Sequence, residues 1–374
     1  MERRFSKNSV MTWEFDWVLT LVSVALAVFG LFAVYSATRS SGSNTNIIVQ
    51  SIAVVIGTVV MLLLCFFDYE QFIPLIKYIF LFCAAFLLLV LLIGFTGKWG
   101  SKSWIRVAGI SIQPSELVKC GFIITLSYHL SQIKEKINRP PVLFGLLLHL
   151  MVPTILILMQ PDFGTAVVFV FIFCIMLFSA KLSFKYIIPT LIVFIAALPV
   201  GYHFLDNFQK DRIRVFFNPE LDPLKRGYNV IQSKIAVGSG ELYGKGYLSG
   251  PQNQMGYLPA KHTDFIFSSI AEEFGFIGAA LVIAALFIII IKCVKTAKKA
   301  DNLFGRYICI GAASMLFFHT VENIGMCMGL LPVTGIPLPF LSYGGTSIIT
   351  NFACIGLVLS VSYHNKPRST FDVY

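Results

Sequence analysis

Long apolar runs separated by short polar connections make up most of the 374-residue chain. A helix that crosses a bilayer needs about 20 predominantly apolar residues, and interruptions by Gly or Pro are tolerated in such helices. Ten runs meet this condition, at about 17–37, 46–67, 75–96, 114–131, 141–160, 163–180, 185–205, 265–292, 304–329 and 344–363. The pattern predicts an all-α, polytopic membrane protein in which residues 1–374 form a single transmembrane bundle of about ten helices.

The composition agrees with this prediction and excludes other classes. The chain is 56% hydrophobic and 13% charged, whereas an average soluble protein carries about 25% charged residues. The net charge of +10 does not indicate a nucleic-acid partner, because the basic residues lie in short runs between apolar segments. The eight cysteines show no CxxC spacing, and the six histidines include no HExxH. We therefore predict neither a disulfide framework nor a protein-built metal site.

The distribution of Lys and Arg predicts the orientation. If the N-terminus is cytoplasmic, the cytoplasmic segments carry sixteen Lys and Arg, and the short external loops carry four. The positive-inside rule favours this arrangement, with both termini in the cytoplasm and the first span retained. Residues 206–264, between the seventh and eighth spans, then form one large extracytoplasmic loop.

Within this loop a short amphipathic helix is expected, because apolar residues recur at helical spacing with polar residues opposite. The two faces are Tyr228, Ile231 and Ile235 against Asn229, Gln232 and Ser233. Such a helix lies on the membrane surface or packs against the bundle, and the pattern does not decide between the two.

Ionisable residues in a span are costly and usually mark a function or a partner. In QPSELVK the helix must begin near Pro114, which draws Glu116 and Lys119 into the external leaflet, spaced i,i+3 on one face. They form either a functional inward pair or a pair at the headgroup level. Upstream, Trp104 lies among cations, where it could hold the sugar of an anionic lipid.

Two aspartates precede apolar runs on the same side. Asp162 in QPDFGT is typical of a turn residue that caps the next helix. Asp264 in LPAKHTDFIFS is either an N-cap or a chemical group, and its position alone favours the cap. The Pro- and Gly-rich residues 330–347 must be buried in protein or line a cavity. Together these features predict a polar cleft in the external half of the bundle.

Several stretches in order resemble the SEDS family (shape, elongation, division and sporulation), most closely its rod-shape members. These are VYSAT, KSWIRVAGISIQPSELVK, QPDFGTA, DPLKRGYNVIQSKIAVGSG, KGYLSGPQNQMGYLPAKHTDFIFSSIAEEFG and GLLPVTGIPLPFLSYGGTS. The resemblance implies a ten-helix peptidoglycan glycosyltransferase of the bacterial plasma membrane. Its substrate would be lipid II, a disaccharide-peptide on undecaprenyl pyrophosphate, and its partner a class B penicillin-binding protein.

The resemblance also implies roles for individual residues. Asp264 would be catalytic, and Trp104, Glu116, Lys119 and Asp162 would be further functional positions. A carboxylate at the external surface could take the proton of an attacking sugar hydroxyl. Basic residues of the loop could neutralise the departing pyrophosphate; the candidates are Arg212, Arg214, Lys234, Lys245, Lys261 and His262. A divalent cation, Mg²⁺ or Mn²⁺, could share this charge, but no dedicated site is visible in the sequence.

Three alternatives stay open. Glu116, Lys119 and Asp162 would also suit the transport path of a lipid II flippase. Clustering on one side of the membrane argues against a flippase, which needs polar groups at both faces. A scaffold for cell-wall enzymes has little need of buried charges. A division or sporulation paralogue of the same family is the third alternative.

Overall fold

The computed structural model describes residues 15–39, 44–95, 102–107, 110–189, 192, 196, 203, 207–222 and 226–365. Within these residues the α-helices are α1 (Trp17–Arg39), α2 (Thr45–Phe66), α3 (Ile76–Ile93), α4 (Pro114–Ile133), α5 (Pro140–Leu158), α6 (Phe163–Ser179), α7 (Asn207–Phe217), α8 (Arg226–Ser239), α9 (Pro251–Gln254), α10 (Ile266–Lys299), α11 (Leu303–Cys327) and α12 (Gly345–Tyr363). A 3₁₀ turn, Tyr69–Leu75, leads into α3.

The all-α, polytopic fold class is confirmed. In the part of the chain that the structure describes, seven helices are long and apolar enough to cross a membrane, and α6 is a shorter apolar helix. Helix α4 carries the charged pair and coincides with the predicted span 114–131. Residues 184–189 are helical, but most of the predicted span 185–205 lies outside the described residues.

Helices α11 and α12 form the centre of the bundle and are its most buried spans. Helix α11 packs along α10, α4 and α6, and α12 packs along α2. Small residues permit this approach: a methyl group on Gly311 would lie 2.6 Å from Ile123 Cγ2. Close packing at small residues is the usual source of helix association in membranes, where lipid is as apolar as the side chains.

The connections divide the bundle into two ends. We call the end that carries residues 94–95, 102–107, 110–113, 159–162, 207–222, 226–265 and 328–344 the site end. The opposite end carries the turns at 67–75, 134–139 and 300–302. There Asn302 accepts from Gly305 N (2.7 Å) and so caps α11.

Helix α10 is longer than the predicted span 265–292 and is broken at Gly275, where φ is 65° and ψ is −164°. The break frees backbone groups, and the loop segment 241–246 binds them. The bonds run from Lys245 N to Glu272 O (2.9 Å), Gly246 N to Glu273 O (3.0 Å) and Phe276 N to Glu241 O (2.8 Å). A helix interruption at membrane depth is tolerated where protein re-satisfies its backbone in this way.

The predicted loop helix is present as α8, and it packs against α10. Its buried residues are Val230, Ser233 and Ala236, whereas Ile235 is exposed. The face with Ile235 therefore does not pack on the bundle, and its contact with a membrane surface stays a prediction. The structure also has an unpredicted hairpin of β1 (Ile105–Val107) and β2 (Ile110–Ile112), with Ile105 opposite Ile112.

Candidate active site at one end of the bundle

The predicted pair of Glu116 and Lys119 forms an ion pair inside the bundle. Helix α4 begins with Pro114 at its first position, so both side chains fall in its first two turns. Lys119 Nζ lies 2.7 Å from Glu116 Oε1, and the two side chains are 1% and 5% exposed. Lys119 Nζ also lies 3.1 Å from Nε2 of His319 on α11. A buried ion pair is tolerated when such further polar partners are present, so the inward orientation is confirmed.

Asp162 is both a helix cap and a member of this cluster. Its Oδ1 accepts from Thr165 N (3.2 Å), which caps α6. Its Oδ2 accepts from Nε2 of Gln113 (3.2 Å), at the start of α4. Burial raises the pKa of Asp162, whereas the bonds from Thr165 and the charge of nearby Lys119 lower it. The structure therefore brings Glu116, Lys119 and Asp162 together.

Helix α11 contributes three polar side chains that the sequence analysis missed. His319, Glu322 and Asn323 lie at i, i+3 and i+4, a spacing that places them on one side of the helix. His319 contacts Lys119, Glu322 accepts a hydrogen bond from Thr334 Oγ1, and Asn323 binds the backbone of Asp264. A signal for them was present, since HTVEN interrupts the otherwise apolar run 304–329 with polar side chains.

Asp264 lies in the turn before α10 and is buried. The N-cap of α10 is Phe265, one residue later, so Asp264 does not occupy the cap position. Its carbonyl oxygen accepts from Asn323 Nδ2 (2.8 Å) and lies 3.6 Å from Cys327 Sγ. Because Asn323 and His319 are one turn apart on α11, the turn of Asp264 and the Lys119 cluster adjoin the same stretch of that helix.

The residues beside Asp264 are held by other contacts. Lys261 donates from Nζ to Asn253 O. Burial lowers the pKa of Lys261, although the negative charges of Glu272 and Glu273 act in the opposite direction and raise it. The His262 ring lies 5.6 Å from the ring of Tyr343. The ammonium of Lys261 thus contacts the loop, and a role for Lys261 and His262 in binding substrate stays a prediction.

Glu272 and Glu273 are buried carboxylates that fasten the loop to the bundle. Glu272 accepts from Gln252 N (2.8 Å) and Asn253 N (3.0 Å). Glu273 accepts from Asn253 Nδ2 (2.8 Å) and from the hydroxyl of Ser36 on α1. These bonds join the loop, α10 and α1, and the bond from Lys261 to Asn253 connects them to the turn of Asp264.

Trp104 is half-buried at the start of the hairpin, where its carbonyl accepts from Phe95 N (2.9 Å). The Arg106 guanidinium lies 4.9 Å from the centre of the Phe95 ring. One of the predicted cations thus contacts an aromatic ring at the site end, but that ring belongs to Phe95, and a cation beside the Trp104 ring stays a prediction.

Of the remaining loop cations, the three whose side chains the structure describes do not join the cluster. Lys234 is exposed on α8. Lys245 lies 3.6 Å from Glu241, and both side chains are well exposed. Arg214 is likewise exposed and pairs with Asp211 at 3.7 Å. The Arg212 side chain lies outside the described part of the structure.

The site offers little to hold a metal ion. Among the described residues, no three His, Cys, Asp or Glu side chains converge closely enough to ligate one. These residues do not fit a resident divalent cation, so no step below passes through a protein-bound metal.

These features define a polytopic membrane protein with a buried ionisable cluster and a fixed carboxylate-bearing turn at one end. The model of a family described as cell cycle protein, named for FtsW, RodA and SpoVE, matches residues 16–367. The chain belongs to this family, as its motifs predicted.

Curated relatives cover nearly the whole chain. The peptidoglycan glycosyltransferase MrdB of Escherichia coli (strain K12) is 35% identical over 376 residues, which span 97% of this chain and 98% of the relative. The peptidoglycan glycosyltransferase RodA of Treponema pallidum (strain Nichols) is 32% identical over 428 residues, 93% of this chain and 98% of the relative.

Solved structures agree with the fold. A peptidoglycan synthase complex, described as coordinating polymerization and crosslinking, contains a chain with a TM-score of 0.80 and 27% identity. The match covers 93% of this chain and 97% of that one. The crystal structure of Thermus thermophilus rod shape determining protein RodA gives a TM-score of 0.70 at 27% identity, over 93% of this chain and 96% of RodA.

Proposed function

We propose that this chain is a peptidoglycan glycosyltransferase that polymerises lipid II into glycan strands at the external face of the bacterial plasma membrane. Its role would be in cell elongation and rod shape. The relatives named as peptidoglycan glycosyltransferases support the activity. The observation that carries the site assignment is Asp264, a carboxylate in a buried turn fixed between α10 and α11 at the end where the ionisable residues gather.

In the proposed reaction, a sugar hydroxyl of one lipid-anchored substrate attacks the anomeric carbon of another. The new glycosidic C–O bond forms while the anomeric C–O bond to pyrophosphate breaks. Asp264 accepts the hydroxyl proton, and undecaprenyl pyrophosphate leaves with the bonding electron pair. General-base catalysis of this kind typically contributes about 10²–10⁴-fold to the rate.

The other site residues have supporting roles in this proposal. Trp104 offers an aromatic face to a sugar. The Glu116–Lys119 pair and Asp162 form a preorganised polar wall beside the turn, since charges fixed in a water-poor site act strongly on charge that develops in the reaction. Lys234, Lys245 and Arg212 would meet the pyrophosphate from the loop, whereas Lys261 and His262 shape the turn itself.

Mg²⁺ or Mn²⁺ would act here only as a counterion carried by the pyrophosphate. The polymerisation rate should then fall gradually as the concentration of the divalent ion is lowered with EDTA. The protein should stay folded throughout. A thermal midpoint that falls on EDTA treatment would contradict this and indicate a resident structural metal.

The orientation is proposed from the Lys and Arg bias, with the site end external and both termini cytoplasmic. A single cysteine at Tyr243, which is 77% exposed, should react with an impermeant thiol reagent on intact cells in an otherwise cysteine-free chain. A cysteine at Lys298, at the opposite end of α10, should react only after lysis. Reversal of the two patterns would overturn the proposed orientation.

We also propose a class B penicillin-binding protein as partner, since a chain similar to this one occurs in a peptidoglycan synthase complex. The glycosyltransferase rate should rise when that partner is co-purified. Full activity of the isolated chain, with no such partner recovered from native membranes, would refute the pairing.

The activity is tested with purified protein and lipid II in detergent. Glycan strands should form without any other enzyme, and one undecaprenyl pyrophosphate should be released for each glycosidic bond formed. If the protein in reconstituted vesicles moves lipid II across the bilayer without forming glycan, a flippase is favoured. If it shows neither activity, a scaffold is favoured.

A further inference from the structure

The turn that carries Asp264 is held by hydrogen bonds that its backbone carbonyl oxygens accept. Four successive carbonyl groups, from Lys261 to Asp264, each accept a hydrogen bond from outside the turn. The donors are Ser269 Oγ to Lys261 O (3.2 Å), Tyr343 N to His262 O (2.8 Å), Ser342 Oγ to Thr263 O (2.7 Å) and Asn323 Nδ2 to Asp264 O (2.8 Å). This is a restraint on the position of the backbone at each step through the turn.

Two of these donors also hold the Pro- and Gly-rich segment 328–344. Asn323 Nδ2 donates to Ile336 O (2.8 Å) as well as to Asp264 O. Ser342 Oγ accepts from Leu338 N (2.8 Å) while it donates to Thr263 O. Both side chains are buried, at 0% and 1% exposure. Each therefore joins the same two segments, the turn of Asp264 and residues 336–338.

We propose that Asn323 and Ser342 are positioning residues for Asp264, which fix its carboxylate at the place where the acceptor hydroxyl arrives. This inference rests on the proposed glycosyltransferase function and extends it to two residues that do not themselves meet substrate. The oxygen of a general base must lie about 2.6–3.2 Å from the hydroxyl oxygen whose proton it takes. Misplacement by about 1 Å costs about 10²-fold in rate.

Ser360 offers a matched control for Ser342. Its Oγ donates to Phe67 O (2.6 Å) and accepts from Tyr69 N (3.1 Å), and the side chain is 0% exposed. Ser342→Ala and Ser360→Ala thus remove the same atom and the same two kinds of bond to backbone, from opposite ends of the bundle. Ser360→Ala also removes a longer contact to His364 Nδ1 (3.4 Å). Only Ser342 touches the turn of Asp264.

The experiment compares the melting temperature, kcat and KM for lipid II of the purified full-length variants. We expect similar small falls in melting temperature for both. Ser342→Ala should lose about 10-fold or more in kcat with KM little changed, because misplacement of the base leaves substrate contacts in place. Ser360→Ala should keep its kcat. Equal kcat in the two variants, or a loss expressed in KM alone, would overturn the inference.

A second arm uses two buried amides. Gln50 is 0% exposed and bonds to Ser342 O (3.0 Å) and Gly344 N (3.1 Å), so it holds the same segment without touching the turn. Asn323→Leu should lower kcat well beyond Gln50→Leu at a similar melting temperature. An equal loss would show that packing of the segment sets the rate, which also contradicts the proposal.

Failure of this inference is distinct from failure of the proposed function. If the native protein forms no glycan from lipid II, the function itself is wrong. If the native protein is active, Asp264→Asn is inactive, and Ser342→Ala matches Ser360→Ala, the function stands and the positioning role is refuted.

Discussion

At the opposite end of the bundle, Ser360 ties α12 to the turn after α2, and at the site end Ser342 ties the segment before α12 to the turn of Asp264. The bonds are alike, but the carbonyl held at the opposite end belongs to Phe67, whereas the site end holds the backbone of Lys261, His262, Thr263 and Asp264. Similar serine bonds therefore close the bundle at one end and, in our proposal, position Asp264 at the other.

The ion pairs of the two ends also differ, in how far their side chains are exposed to solvent. Asp16 and Lys292, at the opposite end, lie 3.0 Å apart with side chains 16% and 29% exposed. Glu116 and Lys119 are nearly closed from solvent. A pair that water reaches is inexpensive, whereas burial of two charges costs several kcal/mol each and is seldom favoured by stability alone. A role of the Glu116–Lys119 pair in the proposed site would explain why it is buried.

The largest effect on stability is expected where one of these pairs is broken. Lys119→Met leaves Glu116 charged and buried, at a cost of about 3–5 kcal/mol. Lys292→Met leaves Asp16 with access to water and should cost about 1 kcal/mol or less. Denaturant-induced unfolding of both variants in detergent measures the difference, and equal losses would remove the contrast between the two ends.

A smaller effect is expected from the break in α10. Gly275→Ala places a methyl group against Gly244 N and Leu242 O at a positive φ, and such backbone strain costs about 1–3 kcal/mol. Gly145→Ala is the matched control, since the added methyl has no described heavy atom within 4 Å apart from its chain neighbours and the backbone of its own helix. It should be neutral or slightly stabilising. A stable Gly275→Ala protein, judged by its thermal midpoint, would show that the break is not required.

The smallest effect is expected from the exposed loop cations. Lys234→Ala and Lys245→Ala each remove a solvated charge, which contributes about 0–1 kcal/mol, or up to about fivefold in KM for lipid II. The effect should shrink further as salt is raised. A salt-insensitive loss of kcat in either variant would instead bring that lysine into the site.

Local patterns allowed much of the bundle to be predicted. The apolar runs predicted eight of the ten spans to within three residues of their observed ends, whereas α10 ends seven residues beyond its predicted span. Each span could be predicted because it depends only on a window of about 20 residues. Pro114 marked the start of α4, and i,i+3 spacing paired Glu116 with Lys119. The cap at Asp162 likewise follows from residues only three apart.

What could not be predicted depends on distant partners. The break at Gly275 exists because segment 241–246 supplies hydrogen bonds there. A Gly within an apolar run does not by itself predict such a break. Asn323 and Ser342 bond to residues of the turn that lie 59 and 79 positions away in the chain. Spacing alone therefore did not indicate the hydrogen bonds that hold the turn of Asp264. Asp264 looked like an N-cap by position, but the helix begins one residue later than a cap requires.

The polymerisation rate of Asp264→Asn tests the central claim most directly, measured with purified protein and lipid II beside Asp16→Asn from the opposite end. Asn keeps the size of the side chain and leaves the hydrogen bonds to the backbone of the turn intact, but an amide cannot accept the hydroxyl proton. The account predicts a normal melting temperature and a rate lowered about 10²–10⁴-fold for Asp264→Asn, with Asp16→Asn near the native rate. Near-native polymerisation by Asp264→Asn would contradict the account and direct the search for the base to Glu116 and Asp162.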